Sequence, residues 1–158
     1  MKRIALAALI ACAAAPIAGG APALAQARKP VALSAEAVAK RLASAGLPVV
    51  QIVALTAATD SNKLLGRPGQ YISKADFEDS RRLASGDDEM DVTDNTIEVF
   101  ATVADAQRRQ AYITRVTSAA PMFTQYIYRR GTILLRIQKS MLPDEARSYE
   151  AALAKIAP

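Results

Sequence analysis

The chain has 158 residues, with 20 Lys and Arg against 15 Asp and Glu, no His, a formal net charge of +5, and one cysteine, Cys12. With no histidine and no cysteine after Cys12, the sequence excludes Ser-His-Asp and Cys-His catalysis, disulfides within the domain, and zinc sites built on His or Cys. The charge is too mild to argue for nucleic acid, and no basic patch interleaved with aromatics accompanies it.

Met1-Lys2-Arg3 supplies a positive start, Ile4 to Ile10 an apolar run, and Ala25-Gln26-Ala27 a small-x-small cleavage signal, the pattern of a secretory signal peptide. Residues 1–27 are therefore expected to be removed, with Ala23-Leu24-Ala25 a competing cleavage site, leaving a short leader over 28–33 and one domain over 34–158. This places the mature chain in the periplasm or outside the cell. Leu9-Ile10-Ala11-Cys12 has the look of a lipobox, so lipid anchoring through Cys12 is the minority alternative. Loss of Lys2 and Arg3 lowers the basic count to 18 against 15 acids, a net charge of +3. No later stretch approaches the roughly 20 apolar residues of a membrane span.

Ser34 is placed to cap a helix through Ala45, with Ala35, Val38, Leu42 and Ala45 on one stripe; Gly46 ends it and Pro48 prevents its resumption. Val49 to Ala57 is a largely apolar run, which predicts a strand covered on both sides or central in its sheet. A polar loop follows, in which Asp60, Ser61 or Asn62 can cap a short turn that Leu64 and Leu65 pin to the core. Gly66-Arg67-Pro68-Gly69 suits a tight reversal. Arg67 has a second reading, a guanidinium beside glycine amides that grips a carboxylate or phosphate, although the phosphate-loop order is lacking.

Gln70 to Asp79 alternates Tyr71, Ser73, Ala75 and Phe77 against Ile72, Lys74, Asp76 and Glu78, as a strand with one buried face does. Ser80 to Asp94 is polar, and Asp87, Asp88, Glu89 and Asp91 read as a solvated loop; calcium is conceivable, but the EF-hand frame is missing. Thr96 to Ala101 forms a third strand. Thr102 caps a helix with Asp105 at the third position, a stripe of Ala106, Ile113, Val116 and Ala120, and a wet side of Arg108, Arg109 and Arg115, up to Pro121. Met122 to Gln138 reads as a hairpin turning at Arg130-Gly131, so that Tyr128 faces Ile133 and Ile127 faces Leu134. Pro143 opens the last helix, with Asp144 and Glu145 at its positive end and Ala146, Tyr149, Leu153 and Ile156 on its buried stripe.

The order Leu-Leu-Gly-Arg-Pro-Gly-Gln-Tyr-x-Ser-Lys over 64–74, the strand Ile97-Glu-Val-Phe100 and the ending Tyr126-Ile-Tyr-Arg-Arg-Gly-Thr-Ile-Leu-Leu-Arg136 resemble a family of small exported bacterial proteins and lipoproteins. The likeness runs from Ser34 to the end. It differs in Ile72, where Thr is usual, and in Arg130-Gly131, where Asn-Gly is usual. The family is uncharacterised, so the resemblance implies export and brings no ligand, cofactor or catalytic residue.

The elements add up to an α+β fold, a single two-layer domain of about five mainly antiparallel strands with helices packed on one face. Such a layer leaves the other face open, carrying Lys74, Asp76, Glu98, Phe100, Ile127, Arg129, Leu134 and Arg136. Mixed apolar and charged residues there predict a non-catalytic binding module that holds another envelope protein or polymer through this face or through Arg67. Neither a cofactor nor a metal is expected. One alternative is a glycan-active enzyme using two of Asp76, Glu78, Asp79 and Glu98, which needs a sugar cleft usually lined by aromatics in a chain without Trp. The other is a carrier of a small apolar ligand, which needs a cavity between helices and sheet.

Overall fold

A computed structural model of the chain describes residues 33–82 and 95–156. The first helix, α1, spans Ala35–Ser44, and the Ser34 hydroxyl accepts from the Ala37 amide at 3.1 Å, satisfying one of the donors a helix start leaves open. Gly46, at φ 90°, takes the left-handed conformation that ends it. Five strands follow: β1 Val49–Ala54, β2 Tyr71–Asp79, β3 Asn95–Phe100, β4 Gln125–Arg130 and β5 Ile133–Gln138. They form one sheet in the order β1-β2-β3-β5-β4, and each neighbouring pair is antiparallel. The other helices are α2, Val103–Ala119, and α3, Pro143–Ile156; a 3-10 turn over Pro121–Phe123 leads from α2 into β4. The α+β class and the five antiparallel strands are as the sequence implied.

The main core lies between one sheet face and the pair α1 and α3. Val38 and Leu42 of α1 and Tyr149 and Leu153 of α3 meet Phe77, Ile97, Val99, Ile133, Leu135 and Ile137 of the strands. The placement of the third helix departs from expectation. Phe100 and Leu134 point to the opposite face, and they are buried there with Ala106 and Ile113 of α2. Antiparallel pairing of both to β5 makes β3 and β4 parallel, so α2 is the crossover that joins them. Apolar side chains on the second face supply the reason it is covered: burying Phe100 and Leu134 is worth roughly 1.5–3 kcal/mol each.

Two bulges reset the alternation. In β2, Tyr71 pairs with Phe100 and Ser73 with Val99, so Ile72 is the extra residue and Tyr71 moves to the α2 face, away from Ala75 and Phe77. In β1 the register shifts between Val50 and Val53, with Gln51 at φ 48°. The expected central strand is in fact an edge strand, where Gln51, Val53 and Ala54 are exposed and Val49 and Ile52 rest on the main core. The hairpin also turns one residue later than predicted. Arg130 pairs with Ile133 and Tyr128 with Leu135 around Gly131-Thr132, and Gly131, at φ 53°, holds the first loop position where a II′ turn requires glycine. Because each partner moves by two residues, the side chains keep their predicted faces.

Residues 1–32, which include Cys12 and the leader up to Ala32, and the acidic residues Asp87, Asp88, Glu89 and Asp91 lie outside the described residues, whereas Leu33, the last of the expected leader, packs against the main core. No helix among the described residues is long and apolar enough to cross a membrane.

Candidate functional site

Between β1 and β2 the polar loop is organised by Asp60, which is fully buried. Its carboxylate accepts from the amides of Leu64 at 2.9 Å and Leu65 at 3.1 Å, from the Tyr71 hydroxyl at 2.7 Å and from Lys74 Nζ at 3.3 Å. Burial alone would raise its pKa, but the Tyr71 hydroxyl, the two amides and Lys74 outweigh that and hold it well below the usual carboxylate range. The Tyr71 hydroxyl is pushed up, first by its own burial and then by the Asp60 acceptor. The β2 bulge makes this arrangement possible, since it puts Tyr71 on the same face as Lys74.

Beside Lys74 on β3 stands Glu98, also fully buried. Arg109 of α2 grips it in a two-pronged pair, Nε to Oε2 at 3.0 Å and the terminal nitrogen to Oε1 at 2.9 Å, and Arg136 adds a third bond at 3.4 Å. Tyr71 and Tyr112 each lie 5.7 Å from the same Arg109 guanidinium. Burial works against that charge, yet Glu98 more than offsets it and keeps the Arg109 pKa above its ordinary value. Arg109, expected on the wet side of α2, is thus the tie between helix and sheet.

The predicted open face is therefore closed. Phe100 and Leu134 are 0% exposed, with Phe100 edge-on to Tyr71 at 6.1 Å, and Ile127 packs against the same cluster. Lys74 and Glu98 are committed to Asp60 and Arg109. Arg129 donates to Gln110 of α2 at 2.9 Å, joining the hairpin to the helix. Arg67 is exposed at the tip of its loop, where its amide bonds the Leu64 carbonyl and its carbonyl the Gln70 amide, a turn geometry that shapes backbone. Of the carboxylates weighed for glycan chemistry, Asp79 is held by Arg81 and the Tyr149 hydroxyl, Asp76 accepts from Thr96, and Glu78 accepts from Gln51.

What the covered face does contain is a cavity. About 570 Å³ lies where α2, the 3-10 turn and the end of β5 diverge. Tyr112, Ile113, Val116, Met122 and Phe123 form its apolar wall, while Arg109, Arg136, Gln138 and Lys139 line it with polar groups. Met122 and Phe123 are 70% and 54% exposed. Asn62 and Leu64 of the polar loop also contribute, so the loop built on Asp60 borders the space. Among the described residues that line it there is no Asp or Glu.

Of the residues the sequence offered for binding, Arg136 alone lines this cavity. Tyr112, Met122, Phe123, Gln138 and Lys139 were missed as a group, because they come from a helix, a turn and a strand end that no spacing rule connects. Met122 and Phe123, read from the sequence as the start of the hairpin strand, instead belong to the 3-10 turn that follows α2, and β4 begins at Gln125. Comparison of the chain with models of protein families, with curated proteins and with solved structures finds no match.

Proposed function

We propose that this chain is a non-catalytic binding module of the bacterial envelope, and that its ligand is a small, partly apolar molecule held in the cavity under α2. The observation that carries this reading is the cavity itself. Its volume falls within the roughly 300–1,000 Å³ typical of small-molecule sites, and its mixture of an apolar wall with a few polar groups is the usual composition of such sites. The signal-like start of the chain supports the envelope assignment. Two features favour binding over catalysis: among the described residues no carboxylate borders the space, and the chain has no histidine.

The test is fluorescence titration with N-phenyl-1-naphthylamine, a neutral apolar probe. Saturable binding at one site per chain is expected, and Val116→Trp, which fills the cavity from an exposed helix position, should remove it while leaving the circular dichroism unchanged. A folded parent chain that shows no saturable binding would sink the reading.

A further inference from the structure

The polar residues of the cavity are not neutral in sign. Glu98 offsets one of the two guanidinium charges of Arg109 and Arg136, so the second guanidinium and the Lys139 ammonium leave this end of the cavity positive. Among the described residues Lys139 Nζ has a single long bond, 3.4 Å, to the Met122 carbonyl, which neither neutralises it nor uses its other two hydrogens. A second, independent observation comes from Gln138. Only 4% of this residue is exposed, its Oε1 accepts from the Ser140 hydroxyl at 3.0 Å, and its Nε2 donor has no partner among the described residues. A buried amide donor left open is costly and needs an acceptor. Arg136, Gln138 and Lys139 thus lie together in the cavity lining, and among the described residues that line it no carboxylate competes for their donors.

Building on the cavity reading above, we propose that the ligand is a single-chain amphiphile with an oxyanion head. The head lies against Arg136, Gln138 Nε2 and Lys139, and the chain lies along Tyr112, Ile113, Val116 and Met122. Size suits one chain. At the ~30 Å³ that a water occupies in the liquid, the space holds on the order of twenty non-hydrogen atoms, enough for a carboxylate on roughly a dozen carbons.

Isothermal titration calorimetry with sodium dodecanoate, dodecanol and dodecyltrimethylammonium, each below its micelle concentration, separates head from chain. A vesicle of anionic phospholipid forms a further arm. Dodecanoate is expected to bind at least tenfold more tightly than dodecanol, and the cation more weakly than either. Gln138→Leu and, separately, Lys139→Glu should each narrow the ratio of dodecanoate to dodecanol affinity toward one. Lys139 is exposed, so its variant stays folded whatever becomes of Gln138→Leu. Equal binding of dodecanoate and dodecanol would overturn the oxyanion head and leave the cavity reading standing. Binding of neither by a folded chain would overturn both, and binding to the vesicles but to no single-chain probe would overturn the single-chain assignment.

Discussion

On the face that α1 and α3 cover, Phe77 lies 5.8 Å from Tyr149 amid Val38, Leu42, Ile97, Leu135 and Ile137, and the Tyr149 hydroxyl ends on Asp79 at the border. On the face that α2 covers, five buried apolar residues share the space with Asp60, Lys74 and Glu98, and Arg109 and Arg136 reach in from above and from the strand. Side chains that interdigitate without polar demands close a face completely, since apolar contact has no preferred direction. A charged cluster behaves differently: each bond fixes a distance and an angle, so Arg109 and Gln110 pin the helix at one place along its length. The cavity lies on this second face, at the end of α2 beyond the last such tie. The comparison teaches that the same sheet carries a sealed side, which supplies stability, and a pinned side, which leaves room.

The largest break in this comparison comes from Phe100→Ser combined with Arg136→Ser. Had the face been open, the pair would have been silent for folding. With Phe100 fully buried and Arg136 bonded to Glu98, the loss is expected to exceed about 4 kcal/mol, a large share of a small domain's stability. Urea titration followed by circular dichroism reads it, and a double variant as stable as the parent would mean that α2 does not cover the sheet.

Glu98→Gln sharpens the contrast further. It leaves Arg109 buried without a counter-charge and should cost about 3–5 kcal/mol by the same titration, with loss of probe binding in the cavity as α2 loosens. An effect below about 1 kcal/mol would show that α2 is held by Ala106 and Ile113 alone.

The smallest effect, about 2–3 kcal/mol at neutral pH, is expected from Asp60→Asn, which keeps the shape but can satisfy the surrounding donors with one oxygen only. Its pH dependence identifies the cause. The folded pKa of Asp60 lies below the unfolded value of about 3.9, so the carboxylate's contribution is complete above the ordinary range and disappears as pH falls through the folded value. The gap between parent and variant should therefore be constant from pH 7 to 5 and narrow below about pH 4. A gap that does not change with pH would assign the effect to packing.

Much of the fold was legible because local chemistry decided it. Ser34, Thr102 and Pro143 each begin a helix where their type predicts, and the apolar alternation of β3 and β5 locates the main core. Asp60 was among the residues proposed to cap the loop. What escaped was of two kinds. A bulge such as the one at Ile72 adds a single residue without any change in composition, so alternation assigns Tyr71 to the wrong face. The side that α2 takes depends on how a crossover passes over the sheet, which the helix's own stripe does not encode. Phe100 and Leu134 carried the clue that the second face needed cover, and the cavity, made from residues far apart in the chain, followed from that placement.

The bulge in β1 has a consequence for how these molecules meet one another. β1 is one of the two edges of the sheet, and a flat edge offers its free amides and carbonyls to any passing strand. With Gln51 in the left-handed conformation and the register stepping between Val50 and Val53, that row of groups is interrupted halfway along a six-residue strand. A second copy cannot add its own β1 in continuous register. The edge whose sequence is most apolar is thereby kept from templating aggregation.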